Sequence, residues 1–249
     1  MALNAHWILL FAGTIAGFID SIAGGGGLIT IPTLSLFLTM GPDTIGTNKI
    51  AGTISALLAL GVYTSKGHMK WREGWLFTFF IGLGSFLGSV LNPYLPLVVF
   101  HCLLLLTCPP ILWIIWKKEL WIQRERSHLK PSKEILKISI LGFACGFYDG
   151  IWGPGGGTFM FLSLFFIAKL PLFTALAISK LANMTSAGVS LINFARHDYV
   201  HWDLGFWLSA GIALGAITGS LTASQKSTTV IRPALVVVVS LLLAKVLFY

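Results

Sequence analysis

Apolar stretches of about twenty residues recur along this chain, and its charged residues are largely confined between them. The charges collect at 64–73, 117–137, 196–203 and 226–232. Backbone placed in lipid must satisfy its own hydrogen bonds, and a helix does so locally. The layout therefore specifies an all-α polytopic membrane protein. A membrane β-barrel would read as alternating segments of roughly ten residues, a pattern missing here. Composition agrees: 55% of the 249 residues are hydrophobic and 10% are charged, against about a quarter charged in a soluble domain.

The net charge of +8 does not point to nucleic acid, because most basic residues sit in loops flanking apolar segments, where membrane topology explains them. Cys102, Cys108 and Cys145 lie inside apolar runs without metal-ligand spacing and read as small buried hydrophobes. The opening MALNAHWILLFAG has no basic leader, and the residues after it run straight into a glycine break. It reads as an uncleaved first membrane segment.

The chain is duplicated. A shift of 129 residues superposes Gly17, Phe18, Asp20, Ile22 and Gly24 on Gly146, Phe147, Asp149, Ile151 and Gly153. A shift of 131 superposes Lys49, Ala51, Ser55, Trp71, Gly84 and Gly88 on Lys180, Ala182, Ser186, Trp202, Gly215 and Gly219. These landmarks divide the chain into a first transmembrane repeat (1–116), a basic linker (117–134) and a second repeat (135–249). Each repeat begins with a broken apolar segment, 7–38 or 135–169. Further spans are expected at 43–63, 74–91 and 95–116, and at 173–195, 205–223 and 228–248. The stretch 117–137 holds seven Lys and Arg residues and should be cytoplasmic. Walking from it, the basic loop and the poorly charged loop exchange places between the repeats. That exchange favours repeats of inverted topology, with 7–38 folding as a helix plus a return stretch, over four-span parallel repeats.

Of nine carboxylates, only Asp20 and Asp149 stand inside apolar segments, at matched positions. An acid at mid-membrane costs about 2.5–3.5 kcal/mol on insertion scales, so it faces a cavity or a partner. Two roles are open: gating or proton coupling, and capping of the half-helix after the break. The runs Gly24-Gly25-Gly26-Gly27 and Gly153-Pro154-Gly155-Gly156-Gly157 cannot hold a regular helix well. Unwound backbone at that depth is buried or lines a wet cavity, and restarted helices would turn N–H groups and positive dipole ends toward the break. Close packing through small residues is the alternative reading. Neither run continues into Gly-Lys-Ser/Thr, so a nucleotide loop is not indicated. The matched Lys49 and Lys180 could charge an anion site or snorkel to the interface. Asn48, Asn183, Ser55 and Ser186 could add hydrogen bonds. The pairs Gly84/Gly88 and Gly215/Gly219 read as helix-packing motifs. No histidine shows a metal-ligand pattern, and no cofactor, metal or catalytic group is expected.

The segments GFIDSIAGGGGLITIP with TNK at 47–49, and GFYDGIWGPGGGTFMF with SKLANMTS at 179–186, resemble the paired motifs of the TauE/SafE sulfite exporter family, in its YfcA-like branch. The resemblance covers essentially the whole chain. It implies an inner-membrane permease made by duplication, carrying sulfite, sulfoacetate, related sulfonates or similar organic anions. The family's signature falls on Asp20, Gly24–Gly27, Pro32, Asn48 and Lys49, and on Asp149, Gly153, Pro154, Gly155, Lys180 and Asn183. The second run departs from it, reading GPGGG where relatives often carry GPGTG or GPGAG.

The expectation is a secondary transporter for a small anion, bound between the two breaks, with the lipid bilayer as its other partner. A homodimer is compatible with these features. Two alternatives come from other classes. An anion channel would show no counterflow, and an intramembrane serine hydrolase would need a base beside Ser21, whose matched position is Gly150.

Overall fold

The computed structural model describes residues 2–96, 98, 131–226, 233, 234 and 236. The spans expected at 95–116 and 228–248, and linker residues 117–130, lie almost entirely outside those residues. Within them the chain is helical, and no strand occurs among the described residues.

The order is α1 (Ala2–Ala23), α2 (Gly27–Leu34), α3 (Pro42–Ser65), α4 (Trp71–Leu91), α5 (Pro131–Ile151), α6 (Gly156–Leu162), α7 (Leu172–Arg196) and α8 (Trp202–Lys226). Among the described residues, five segments are long and apolar enough to cross a membrane: Ala5–Ala23, Pro42–Ser65, Trp71–Tyr94, Leu172–Arg196 and Trp202–Gln225. Local chemistry sets their ends. Pro42 opens α3 at a position that needs no N–H donor, with Asp43 beside the positive end of the helix. Arg196 sits in the last turn of α7, where the helix dipole favours a cation. The described helix α5 starts at Pro131, earlier than the apolar run at 135 suggested, and Lys133, Glu134 and Lys137 make its first turns polar. The second broken segment ends in a π-helical stretch, Ser163–Ile167.

Both glycine runs interrupt their helices. Gly24 (φ 72°) and Gly25 (φ 117°) occupy backbone space that other residues adopt at a cost, and Gly153 (φ 95°) does the same in the second run. After the first break the chain doubles back. A Cβ on Gly26 would stand 2.8 Å from Asp20 Cβ and 3.1 Å from the Ala16 carbonyl oxygen.

Small residues then let helices touch. A Cβ on Gly215 would lie 2.0 Å from Thr14 O, and one on Gly211 would lie 2.1 Å from Leu10 O, so α8 rides on α1 backbone to backbone. In the same way Gly84 and Gly88 of α4 meet Phe143 and Phe147 of α5, and Gly146 and Gly150 of α5 meet Ile81 and Ser85 of α4. Such contacts substitute for the hydrophobic driving force that lipid does not provide between helices.

The order of these contacts fixes directions. Leu10, Thr14 and Phe18 meet Gly211, Gly215 and Gly219, so α1 and α8 run the same way. Thr47 lies by His201, Ile50 by Gly205, and Ala51 clusters with Leu208, which adds α3 to that set. Ile81 and Ser85 meet Gly146 and Gly150, while Gly74 and Gly82 meet Ile178 and Thr185, so α4, α5 and α7 share a direction. Gly46 and Gly52 of α3 meet Phe194 and Ala187 of α7 in reversed order, which makes the two sets antiparallel. Since α1 and α3 are parallel, α2 must carry the chain back between them.

The two ends of the bundle differ in charge. The α3–α4 loop, with Lys66, Lys70 and nearby Arg72, lies at the end where α5 and α7 begin, and His68 stacks on Phe173 with centroids 4.5 Å apart. At the opposite end the α7–α8 loop meets the starts of α1 and α3. There His201 Nε2 is 3.1 Å from Asp43 Oδ1 and His6 Nε2 is 3.6 Å from Asp203 Oδ2.

Candidate functional site

The two breaks meet at the centre of the bundle. Gly24 touches the Gly157–Thr158 peptide so closely that a Cβ would stand 2.4 Å from both its carbon and its nitrogen. The Thr158 hydroxyl donates to Ala23 O (3.0 Å) and Gly24 O (2.7 Å), tying the end of α1 to α6. On the other flank, Gly27 faces Pro154 and the Asn48 amide nitrogen, and Gly157 faces the Asn183 amide nitrogen. The Thr30 hydroxyl donates to Asn48 Oδ1 at 2.5 Å.

Around this contact the charged residues are exchanged between the halves. Lys49 Nζ, from α3, lies 2.8 Å from Asp149 Oδ2 on α5 and also donates to the Asp149 carbonyl. Lys180 Nζ, from α7, lies 4.0 Å from Asp20 Oδ2 on α1 and also donates to the Asp20 carbonyl. All four are buried, with residue exposures of 7% for Asp20, 3% for Lys49, 3% for Asp149 and 1% for Lys180. Ion pairs this dry persist only with excellent geometry and further hydrogen bonds. The serines supply some of these: Ser55 Oγ donates to Asp20 Oδ2 and Ser186 Oγ to Asp149 Oδ2, each at 2.6 Å.

The carboxylates differ in how they meet the backbone. Asp20 Oδ1 accepts from the amides of Gly25 and Gly26, both at 2.9 Å, so Asp20 caps the restart into α2. Asp149 Oδ1 instead abuts Gly156, where a Cβ would stand 2.1 Å away. Both helices restart seven residues after their aspartate, at Gly27 and Gly156, so the difference lies in the path of the loop and not in its length from the carboxylate.

The geometry therefore brings together Asp20, Gly24–Gly27, Asn48, Lys49, Asp149, Gly153–Gly156, Lys180 and Asn183. It also bears on two readings that the sequence left open. The amides of Gly25 and Gly26, expected to face an anion, are taken by Asp20 in this state, and the Gly156 amide donates to Gly153 O at 2.8 Å. Neither lysine snorkels; both point into the bundle. Four contributors carry no sequence signal beyond being polar or aromatic in an apolar span: Thr30, Thr158, Tyr63 and Asn92. Tyr63 donates to Ser21 O (3.0 Å), and Asn92 Nδ2 donates to Ile151 O (2.5 Å), bracing the far sides of the breaks. Ser21, the residue a hydrolase would need, donates its hydroxyl to Phe18 O at 3.0 Å. Among the described residues, no three His, Cys, Asp or Glu side chains cluster as metal ligands would.

Comparison with known proteins gives a consistent family. A family profile described as "Sulfite exporter TauE/SafE" matches residues 9–246. A "Probable membrane transporter protein" of Haemophilus influenzae is 34% identical over 97% of this chain and 94% of its own length. The "Probable membrane transporter protein YfcA" of Escherichia coli K12 is 32% identical over 97% of this chain and 89% of its own. The "Probable membrane transporter protein YdhB" of Bacillus subtilis is 24% identical over 92% of this chain and 93% of its own. No solved structure matches.

Proposed function

The chain belongs to the sulfite exporter TauE/SafE family, a family of multi-pass membrane transporters, and we propose that it exports a small anion by alternating access. The substrate class is a sulfur oxyanion, a sulfonate or a similar organic anion. The binding centre is the contact between the two breaks. Lys49 and Lys180 bind the anion, Asn48 and Asn183 orient it, and the glycine backbones part to admit it. The single observation that carries this reading is the pair of crossed, buried Lys–Asp bridges at that contact. They hold two ammonium groups at the centre of a membrane protein, each masked by a carboxylate that a competing anion can replace.

The two halves act as inverted repeats. Support comes from the antiparallel course of the matched helices α3 and α7, and from each broken helix packing on the last described long helix of the other half. Rocking one repeat against the other would break the Lys49–Asp149 and Lys180–Asp20 bridges on alternate sides of the substrate. The end bearing Lys66, Lys70 and Arg72 faces the cytoplasm of an inner membrane, together with the linker 117–134. The packed Gly24–Gly157 contact, which must part to admit an anion, favours a carrier over a channel.

The test is flux into proteoliposomes of sulfite, thiosulfate, sulfoacetate and simple carboxylates. A carrier of this kind saturates and shows counterflow for at least one sulfur anion. Linear, non-saturating flux without counterflow would establish a channel instead, and no flux of any of them would end the proposal.

A further inference from the structure

The two crossed bridges are not equivalent, and their difference assigns a proton. This inference rests on the anion-carrier reading above. Asp20 has three donors that do not depend on its lysine: the amides of Gly25 and Gly26 at 2.9 Å and the Ser55 hydroxyl at 2.6 Å. Lys180 stands further off, 4.0 Å from Oδ2. Asp149 is held otherwise. Lys49 at 2.8 Å and Ser186 at 2.6 Å both reach Oδ2, and among the described residues no backbone amide donates to this carboxylate. The loop sequence explains this in part: Pro154 has no N–H, and the Gly156 amide is bound to Gly153 O.

Few other groups face Asp149. From α3 comes Lys49 and from α7 Ser186. The neighbouring helix α4 approaches α5 with Gly84, Gly88 and Ser85, and α6 with Gly156, none of which titrates. On α5 itself Cys145 lies one turn earlier, and the Tyr148 hydroxyl donates to Pro154 O at 2.7 Å. Among the described residues, Lys49 is thus the cation paired with the Asp149 carboxylate.

Two lysines and two aspartates are paired one to one at the centre, so their charges cancel when all four are ionised. An anion that takes Lys49 alone would leave a net negative charge in a dry interior. We infer that Asp149 takes up a proton when the substrate anion takes Lys49, whereas Asp20 stays ionised against its amides. The proton comes from water on the side of entry and forms an O–H bond on Asp149. It returns to water when the anion leaves Lys49 on the other side and the bridge re-forms. Anion and proton therefore bind with positive linkage and cross together. For a monovalent anion the cycle moves no net charge, so the membrane potential neither drives nor opposes it. Direction follows the combined anion and proton gradients, and an accumulated cytoplasmic anion leaves with a proton.

The experiment uses the purified full chain in liposomes loaded with a pH-sensitive dye, offered methanesulfonate, sulfoacetate or thiosulfate. These are fully ionised near neutral pH, so a proton that crosses is not the substrate's own. Inward flux is expected to acidify the lumen, and apparent KM to fall by up to about tenfold per unit of acidification. On whatever anion flux it retains, Asp149→Asn is expected to lose both luminal acidification and the pH dependence of KM. Asp20→Asn is expected to keep the proton-to-anion ratio on whatever flux it retains. Infrared difference spectra add a readout that does not need Asp149→Asn to fold. Anion binding should produce a protonated-carboxyl band in the unaltered protein, and that band should shift in Asp149→Glu. Anion flux without proton movement would overturn the inference while leaving the carrier reading intact. So would a proton-to-anion ratio lost in Asp20→Asn and kept in Asp149→Asn, or a band unmoved by Asp149→Glu. No flux of any anion would overturn the carrier reading itself.

Discussion

Among the described residues, Lys49→Met leaves the buried Asp149 carboxylate with Ser186 as its remaining hydrogen-bond donor. At an effective dielectric constant of about 20, unit charges 2.8 Å apart attract by about 6 kcal/mol and those 4.0 Å apart by about 4 kcal/mol. Desolvation offsets much of either figure, and breaking one side of a buried pair costs about 3–5 kcal/mol in net stability. Lys49→Met should lose about that much. Adding Asp149→Asn removes the stranded charge, and the double variant should return to within about 1 kcal/mol of the starting protein, since replacing both charges of a buried pair is often neutral. Adding Asp20→Asn instead should deepen the loss, because it strips Lys180 of its carboxylate as well. Lys180→Met alone should cost less than Lys49→Met, since Gly25, Gly26 and Ser55 still hold Asp20. Unfolding midpoints in detergent, followed by tryptophan fluorescence, give the ranking. Rescue of Lys49→Met by Asp20→Asn as complete as that by Asp149→Asn would refute the crossed pairing.

Gly24→Ala should destabilise by more than the ~1–2 kcal/mol of a left-handed backbone, because its Cβ meets the Gly157–Thr158 peptide. Gly61→Ala, inside α3 with open space around it, should be neutral or slightly stabilising in the same thermal assay. His68 is held below its ordinary value by partial burial and by Lys66, so its neutral form favours the folded loop. Its contribution is complete above the unfolded histidine value and is lost as pH falls through the lower folded one. Protection of the α3–α4 loop amides, corrected for the intrinsic exchange rate at each pH, should therefore fall on acidification, and His68→Phe should remove that fall while retaining the stack on Phe173.

What the sequence disclosed, it disclosed through composition and spacing. The long apolar runs placed α3, α4, α7 and α8 because a span's length follows from bilayer thickness. The Gly24–Gly27 and Gly153–Gly157 runs located both breaks because so many glycines cannot sustain a helix. Matching positions singled out Asp20, Lys49, Asp149 and Lys180. Position alone could not say that each lysine reaches the aspartate of the other half, since the pairing depends on how α3 and α7 cross between α1 and α5. For the same reason the Gly25 and Gly26 amides looked available to a ligand, although the Asp20 side chain folds back onto them. Ser55 and Ser186, expected to add hydrogen bonds at the site, spend them on the carboxylates. The early start of α5 was hidden by its polar first turns, where helix propensity outweighs the missing apolar pattern.

The most direct measurement of the central claim is anion flux through the two charge-free double variants, Lys49→Met/Asp149→Asn and Lys180→Met/Asp20→Asn, in liposomes beside the unaltered protein. Both variants should remain folded, because each loses a whole pair. The account predicts saturable sulfite or sulfonate flux in the unaltered protein and a loss of at least about a hundredfold in each variant, as expected when a charge-assisted contact worth about 3 kcal/mol is removed. Unchanged flux in both variants, folded and reconstituted to the same level, would contradict it.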